Sequence, residues 1–183
     1  SGQNGARMTM PTVLLRLRQV CCDVGLAGLP EEKLTQLKAN ERSGKWEALD
    51  ERLDEALSGG SKVLMFSQFV TYLQACRQHL NERGIQYAYL DGSTVDRAGQ
   101  VEAFQKDPQK HVFLISLKAG GYGLNLTQAD HVFLMDPWWN PAVEAQAIDR
   151  AHRFGQSRVV NACRFVMRGT VEERVLALQE KKR

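Results

Sequence analysis

Residues 111–155 read HVFLISLKAGGYGLNLTQADHVFLMDPWWNPAVEAQAIDRAHRFG, and this stretch decides the fold. It contains two short apolar runs, His111–Ile115 (HVFLI) and His131–Met135 (HVFLM). The run before Ser116, like the run Lys62–Phe66 (KVLMF) before Ser67, is almost continuously apolar. That is how strands buried on both faces read. A glycine-rich loop follows the first run. A loop with two prolines follows the second and ends where Pro141 can open a helix.

Working outward, the same alternation repeats. Strands are expected at Lys62–Phe66, Gln86–Leu90, His111–Ile115, His131–Met135 and Val159–Val166. Helices are expected at Gln68–Glu82, Val95–Lys106, Pro141–His152 and Val171–Lys181. Phe69, Leu73, Cys76 and Leu80 share one face of the first of these helices. Upstream, Trp46, Leu49, Leu53 and Leu57 form another helical stripe, ended by Ser58–Ser61 (SGGS). Alternating strands and helices with short connections predict an α/β fold: a doubly wound, mostly parallel sheet with helices on both faces. Ligands of such sheets gather at loops leaving the C-terminal strand ends. Those loops begin at Ser67, Asp91, Ser116, Asp136 and Met167. The domain is expected over 43–183. Before it, 1–42 is a leading segment with a polar start at Ser1–Ala6 and one helix from Pro11 to Cys22. Val13, Leu14, Leu17, Val20 and Cys21 recur there at helical spacing. Gly25–Pro30 breaks that helix, and Glu31–Glu41 is a short polar helix or loop.

The chain has 183 residues, which fits one domain with a short attachment. It is 43% hydrophobic and 25% charged, enough apolar content for a core and too much for a disordered tail. The 24 Lys and Arg against 21 Asp and Glu leave a net charge of +3, too mild for a tail-type nucleic-acid binder. No apolar run approaches a membrane span, so no membrane partner is expected. The four cysteines have no metal-ligand spacing, so free thiols in a reducing compartment are expected.

Four loops carry chemistry. In Leu90–Thr94 (LDGST), Ser93 or Thr94 can cap the next helix and leave backbone N–H groups facing an anion. Plain helix capping is the alternative, and spacing alone favours it. In Ser116–Thr127, Gly120, Gly121 and Gly123 follow directly on a buried strand, where glycine allows close backbone approach to a ligand. Ser116 and Lys118 add a hydroxyl and a charge suited to phosphate, although a structural turn remains open. In Asp136–Pro141 (DPWWNP), two adjacent tryptophans in so polar a loop do not both pack easily into a core. One is a candidate for a nucleic-acid partner, although core packing of both remains open. In Gln146–Gln156, Gln146, Arg150 and Arg153 share a helix face, and two guanidiniums with an amide suit a triphosphate. Salt bridges to Asp149 or nearby carboxylates are the alternative. Five arginines and one acidic residue between Gln146 and Arg168 make this region more basic than the total. No G-x-x-x-x-G-K-[ST] loop occurs.

These strings, in this order, resemble the C-terminal RecA-like lobe of SWI/SNF-type, superfamily 2 helicase-like DNA translocases. The resemblance rests on SGKWEALDERLDEAL, KVLMFSQF, YLDGST, the long segment from LISLKAGG to HRFGQ, and GTVEERVLALQEKK. It covers about Ser43 to Lys182. RLRQVCCD resembles the helix preceding this lobe in one branch of the family.

The resemblance implies a P-loop NTPase fold without its own P-loop, and roles residue by residue. Gln146, Arg150 and Arg153 match the motif whose arginines reach the γ-phosphate of ATP. That ATP, with Mg2+, is bound mainly by the first RecA-like lobe of the same polypeptide. Gly121, Gly123 and Asn125 match the motif on the nucleotide side. Ser116, Lys118, Ser93, Thr94 and Trp139 match positions on double-stranded DNA. Leu117 stands where many relatives carry Thr, so no phosphate contact is assigned there. The implied function is the second motor lobe of an ATP-dependent DNA translocase or remodeller, inactive when isolated. A non-catalytic DNA- or protein-binding module is the alternative. The setting is intracellular: the nucleus in a eukaryote, the cytoplasm or nucleoid in a prokaryote.

Overall fold

The computed structural model describes residues 9–28, 43–121, 123–152 and 159–181, together with Glu32 and Gln36. In chain order the elements are α1 (Met10–Cys22), α2 (Lys45–Ser58), β1 (Val63–Ser67), α3 (Val70–Glu82), β2 (Tyr87–Leu90) and α4 (Arg97–Lys106). They continue with β3 (Val112–Ser116), β4 (His131–Leu134), α5 (Pro141–Asp149), β5 (Asn161–Arg164) and α6 (Val171–Glu180). The strands form one sheet in the order β2-β3-β1-β4-β5. Every pairing is parallel.

Alternation along the central strands divides the core in two. Val63 and Met65 of β1, Val112 and Leu114 of β3, and Phe133 of β4 pack on one face with Leu49 and Leu53 of α2 and Leu73, Cys76 and Leu80 of α3. Leu64 and Phe66, Phe113 and Ile115, and Val132 and Leu134 point the other way, toward Phe104 of α4, Ala147 of α5 and Trp138. Both neighbours of each residue in β1 and β3 are therefore in a core. This is why these runs carry no polar alternation.

Several boundaries differ from the sequence expectation. α3 begins at Val70, not Gln68, because the Ser67 hydroxyl accepts the Phe69 amide at 3.0 Å and Gln68 turns toward Asp136. α4 begins at Arg97, not Val95, and its cap is Asp96, whose carboxylate accepts the Gly99 amide at 2.9 Å. A Cβ at position 99 would overlap that carboxylate, so glycine makes room for the cap. Only Asn161–Arg164 of Val159–Val166 is strand, the four residues registered against His131–Leu134. α5 stops at Asp149, with Arg150 at its C-cap. Ala56 rather than Leu57 is the buried residue in the last turn of α2.

α1 docks on the lobe by a face that the apolar stripe does not mark. Its buried residues are Arg18, Cys21 and Cys22, while Leu15, Leu17 and Val20 are exposed. Cys22 joins the same core cluster as Trp46 and Leu49. All four cysteines are free thiols. No described helix is long and apolar enough to cross a membrane.

Candidate functional site

The site lies where the central strands end. β1 leads to β2 on one side, while its neighbour β4 leads to β5 on the other, which opens a crevice at their C-terminal ends. Backbone bonds tie these ends together beyond the strand pairings. The Leu117 amide donates to the Ser67 carbonyl at 2.9 Å, and the Met135 amide to the Phe66 carbonyl at 2.9 Å.

The glycine-rich loop is pressed onto the top of the sheet. A Cβ on Gly120 would lie 3.2 Å from both Ile115 and Phe66, a contact so tight that these side chains would have to shift by a few tenths of an ångström. Gly121 closes the short 3-10 turn Ala119–Gly121, and Gly123 has φ +60°. Ser116 is 2% exposed, and its hydroxyl accepts the Ala119 amide at 3.3 Å. The hydroxyl expected on phosphate is thus turned into the loop, and Lys118 is the exposed side chain beside it. The loop is held from both sides. Arg97 of α4 donates to the Ala119 carbonyl and Gln105 to the Asn125 carbonyl. The Leu126 amide donates to the Arg150 carbonyl at 3.0 Å.

That last bond brings α5 to the loop. Pro141 supplies the first helical residue, and the Asn140 side chain accepts the Ala142 amide at 3.0 Å. Gln146 is exposed and lines a small crevice with Phe66, Leu117, Gly120, Val143 and Ala147. Arg150 follows one turn later, half-buried. Arg153 lies outside the described residues. The glycine loop and the α5 end carry between them an amide, a guanidinium, an ammonium and backbone N–H groups, types that suit phosphate oxygens. Among the described residues, no three His, Cys, Asp or Glu side chains gather to hold a metal ion.

The loop after β4 is anchored through Asp136, which is buried. Its carboxylate accepts the Ser67 hydroxyl at 2.5 Å and the Gln68 side-chain amide. Burial pushes this carboxyl above the usual range, against the pull of those hydrogen bonds. Trp138 is 2% exposed, edge-on to Phe66, with its amide 3.3 Å from Glu144 and its carbonyl bonded by Gln179. Trp139 is 37% exposed. The pair therefore splits into one core and one surface tryptophan, as the loop's polarity implied. Arg18 lies behind Trp139. It donates to the Pro137 carbonyl at 3.0 Å, and its guanidinium carbon is 5.3 Å from the Trp139 ring centroid.

The loop after β2 stands at the sheet edge, one strand beyond β3. Asp91 accepts the Ser93 amide at 2.8 Å, the Ser93 hydroxyl at 2.6 Å and the Tyr89 hydroxyl at 2.9 Å. The Thr94 hydroxyl accepts the Asp91 amide at 2.9 Å. Neither Ser93 nor Thr94 caps α4, as the sequence had suggested, because both fold back on Asp91. The hydrogen bonds from Ser93, above all, hold the Asp91 carboxyl below its ordinary range.

The structure thus unites Gly121, Gly123, Asn125, Gln146 and Arg150, sets Trp139 on the neighbouring loop, and leaves Ser93 and Thr94 at the edge. Sequence reasoning missed the supports. Arg18 shares a helical face with Leu14, Cys21 and Cys22, a spacing that could have marked it. Lys45 and Glu172 form a buried ion pair at 2.7 Å. Glu144 bonds Arg164 at 2.8 Å and Gln179 at 2.9 Å. No local pattern marks those partners.

Residues 44–155 match the family model for the helicase conserved C-terminal domain. The chain is 52% identical over 123 residues to the DNA repair protein rad8 of Schizosaccharomyces pombe, covering 66% of this chain and 11% of that protein. It is 47% identical over 135 residues to the chromatin-remodeling ATPase INO80 of Aspergillus oryzae, covering 73% and 9%. The chain therefore spans about a tenth of these curated relatives. Among solved structures it is similar to the C-terminal part of the Fun30 ATPase domain. The TM-score is 0.75 at 31% identity, covering 85% of this chain and 56% of that one.

Proposed function

Starting from the fact that this chain belongs to the helicase conserved C-terminal domain family, within the SWI/SNF-type remodelling ATPases, we propose that it is the second motor lobe of an ATP-dependent double-stranded DNA translocase. In this reading the nucleotide is held mainly by a first RecA-like lobe of the same polypeptide. Bound ATP with Mg2+ supplies the phosphoryl group that is transferred to water. This chain's residues supply charge and position. Arg150 and Arg153 present guanidiniums to the γ-phosphate, Gln146 presents an amide, and the backbone at Gly121, Gly123 and Asn125 approaches the nucleotide edge. Lys118, Trp139, Ser93 and Thr94 face DNA. Ser116 supports them by holding the turn in which Lys118 sits. Contacts to backbone phosphates position the protein without reading sequence.

The observation that carries this reading is the bond between the Leu126 amide and the Arg150 carbonyl, together with Gln146 against Gly120. It makes the glycine loop and the arginine helix one unit, so a change on the DNA side reaches the nucleotide side without a flexible connection. The chromatin and DNA-repair names of the relatives point to the same setting for this chain, bound to DNA in the nucleus.

The test is ATP hydrolysis with and without duplex DNA. The chain alone should be inactive, and adding the first lobe should restore DNA-stimulated turnover. In that reconstituted motor Arg150→Ala should lower turnover by about 10³ or more, the scale of arginine-finger loss, and leave duplex affinity essentially unchanged. Robust hydrolysis by the chain alone overturns the proposal. So does an Arg150→Ala motor that keeps its rate.

A further inference from the structure

The geometry points to Arg18 as the positioning residue for Trp139. The leading helix α1, which lies before the lobe in sequence, sets the aromatic side chain that the lobe offers to DNA. The inference rests on the reading of Trp139 given above and extends it to a residue of another element.

Four observations converge on Arg18. It is 6% exposed, unusual for an arginine and inconsistent with its reaching a DNA phosphate directly. Its Nη2 donates to the Pro137 carbonyl at 3.0 Å, which fixes the backbone two residues before Trp139. Its guanidinium lies 5.3 Å from the Trp139 ring centroid and 5.6 Å from that of Phe69. The Pro137 carbonyl also accepts the Gln68 amide at 3.3 Å, so the loop is held from α1 and from the end of β1.

A planar guanidinium against an indole face is an electrostatic and packing contact that an ammonium reproduces poorly. It restricts the rotamers of an otherwise exposed tryptophan. A side chain ordered in the free protein does not have to be ordered on binding, and that ordering costs association energy. Arg18 thus acts on DNA affinity through Trp139 and not through its own charge. Burial lowers its pKa while Asp136 opposes that shift, consistent with a cation kept out of water beside a carboxylate.

Two measurements on the full chain test this. The first needs no DNA: acrylamide quenching of tryptophan fluorescence. Trp46 and Trp138 are buried, so Trp139 dominates the quenchable signal. Arg18→Lys should raise quenching as the ring is released. Arg18→Met should do so further. The second is binding of a fluorescein-labelled duplex at low salt. Arg18→Lys should weaken binding about two- to tenfold, the equivalent of ordering one side chain, with the salt slope unchanged. A direct phosphate contact would instead reduce that slope by about one. In a Trp139→Ala background Arg18→Lys should have no further effect.

Unchanged quenching and unchanged affinity in Arg18→Lys overturn the inference. So does an Arg18→Lys loss that is equally large without Trp139, since that marks general destabilisation. Thermal melts on each variant identify any that fail to fold, and Arg18→Lys is the variant most able to keep the fold. If Trp139→Ala leaves duplex binding unchanged, the DNA reading of Trp139 fails. The quenching arm still decides whether Arg18 holds the ring.

Discussion

Asp91 accepts bonds from Ser93 and Tyr89 through one carboxylate, and the charged form is what these donors favour. Its pKa is therefore depressed on folding. The stabilisation is complete above the unfolded value of about 3.9 and is lost as pH falls through the lower folded value. Asp91→Asn keeps an acceptor but no charge, and bonds to a charged acceptor exceed neutral ones by about 1 kcal/mol. The chain should exceed Asp91→Asn in stability by about that amount at pH 6 to 7, and the gap should close below about pH 4. Urea midpoints across that range would show it, and a gap independent of pH would refute it. The same loop shows where residue-level reading stops. Ser93, Thr94 and Asp96 are all good caps within four positions. What selects Asp96 is Asp91, which engages the first two, and Gly99, which leaves space for the third. By contrast, the polarity of DPWWNP raised an exposed tryptophan against core packing of both, and the structure buries Trp138 and leaves Trp139 at the surface. For Arg18 the only signal was its helical spacing with Leu14, Cys21 and Cys22, and a charged residue at that spacing is easily read as a break in the apolar face.

At the scale of elements, helices α2 and α6 meet at their N-terminal ends through Lys45 and Glu172, both almost fully buried. The Lys45 ammonium also donates to the Met135 carbonyl at 2.8 Å, and Glu172 accepts the Met167 amide at 2.8 Å. Removing one partner leaves the other charge buried, which typically costs about 3–5 kcal/mol. Lys45→Met should therefore be strongly destabilising at pH 7. Adding Glu172→Leu should restore part of the loss, because no orphaned carboxylate remains. The pH dependence has a definite sign. Burial already raises the Glu172 pKa, against the pull of Lys45, and losing Lys45 raises it further. A raised carboxyl pKa means stability present at low pH and lost as pH rises through the folded value. The Lys45→Met deficit should thus shrink on acidification. Denaturant midpoints at pH 5 and pH 7 measure it, and a deficit that grows in acid would rule the account out. The strands β1 and β3 were readable because burial on both faces leaves an unbroken apolar run. β5 was overextended because an edge strand pairs on one side only, and pairing with β4, not hydrophobicity, sets its ends. The Lys45–Glu172 pair spans 127 positions in sequence, beyond any local pattern.

For the whole molecule, the helix of the leading segment packs onto the lobe expected from Ser43. Cys22 is in the core cluster with Trp46 and Leu49, and Arg18 anchors the loop after β4. α1 also packs against α6, so it touches elements from both ends of the lobe. Deleting residues 1–42 should uncover the Cys22 contact surface on the core, leave the Pro137 carbonyl short of one donor, and free one face of Trp139. The buried contact and the lost hydrogen bond together are worth about 2 kcal/mol or more. For a domain of this size that lowers the melting temperature by about 4–8 °C. The intact chain should melt in one transition, with α1 and the sheet unfolding together. The shortened chain should melt earlier and show greater acrylamide quenching of Trp139 before it unfolds. Calorimetry of the two chains decides the matter. Equal melting temperatures would make residue 43 a true packing boundary. A lowered temperature with unchanged quenching would separate α1's contribution to stability from its hold on Trp139. The deletion thus measures α1 as part of the core, and Arg18→Lys measures it as the support of the Trp139 side chain.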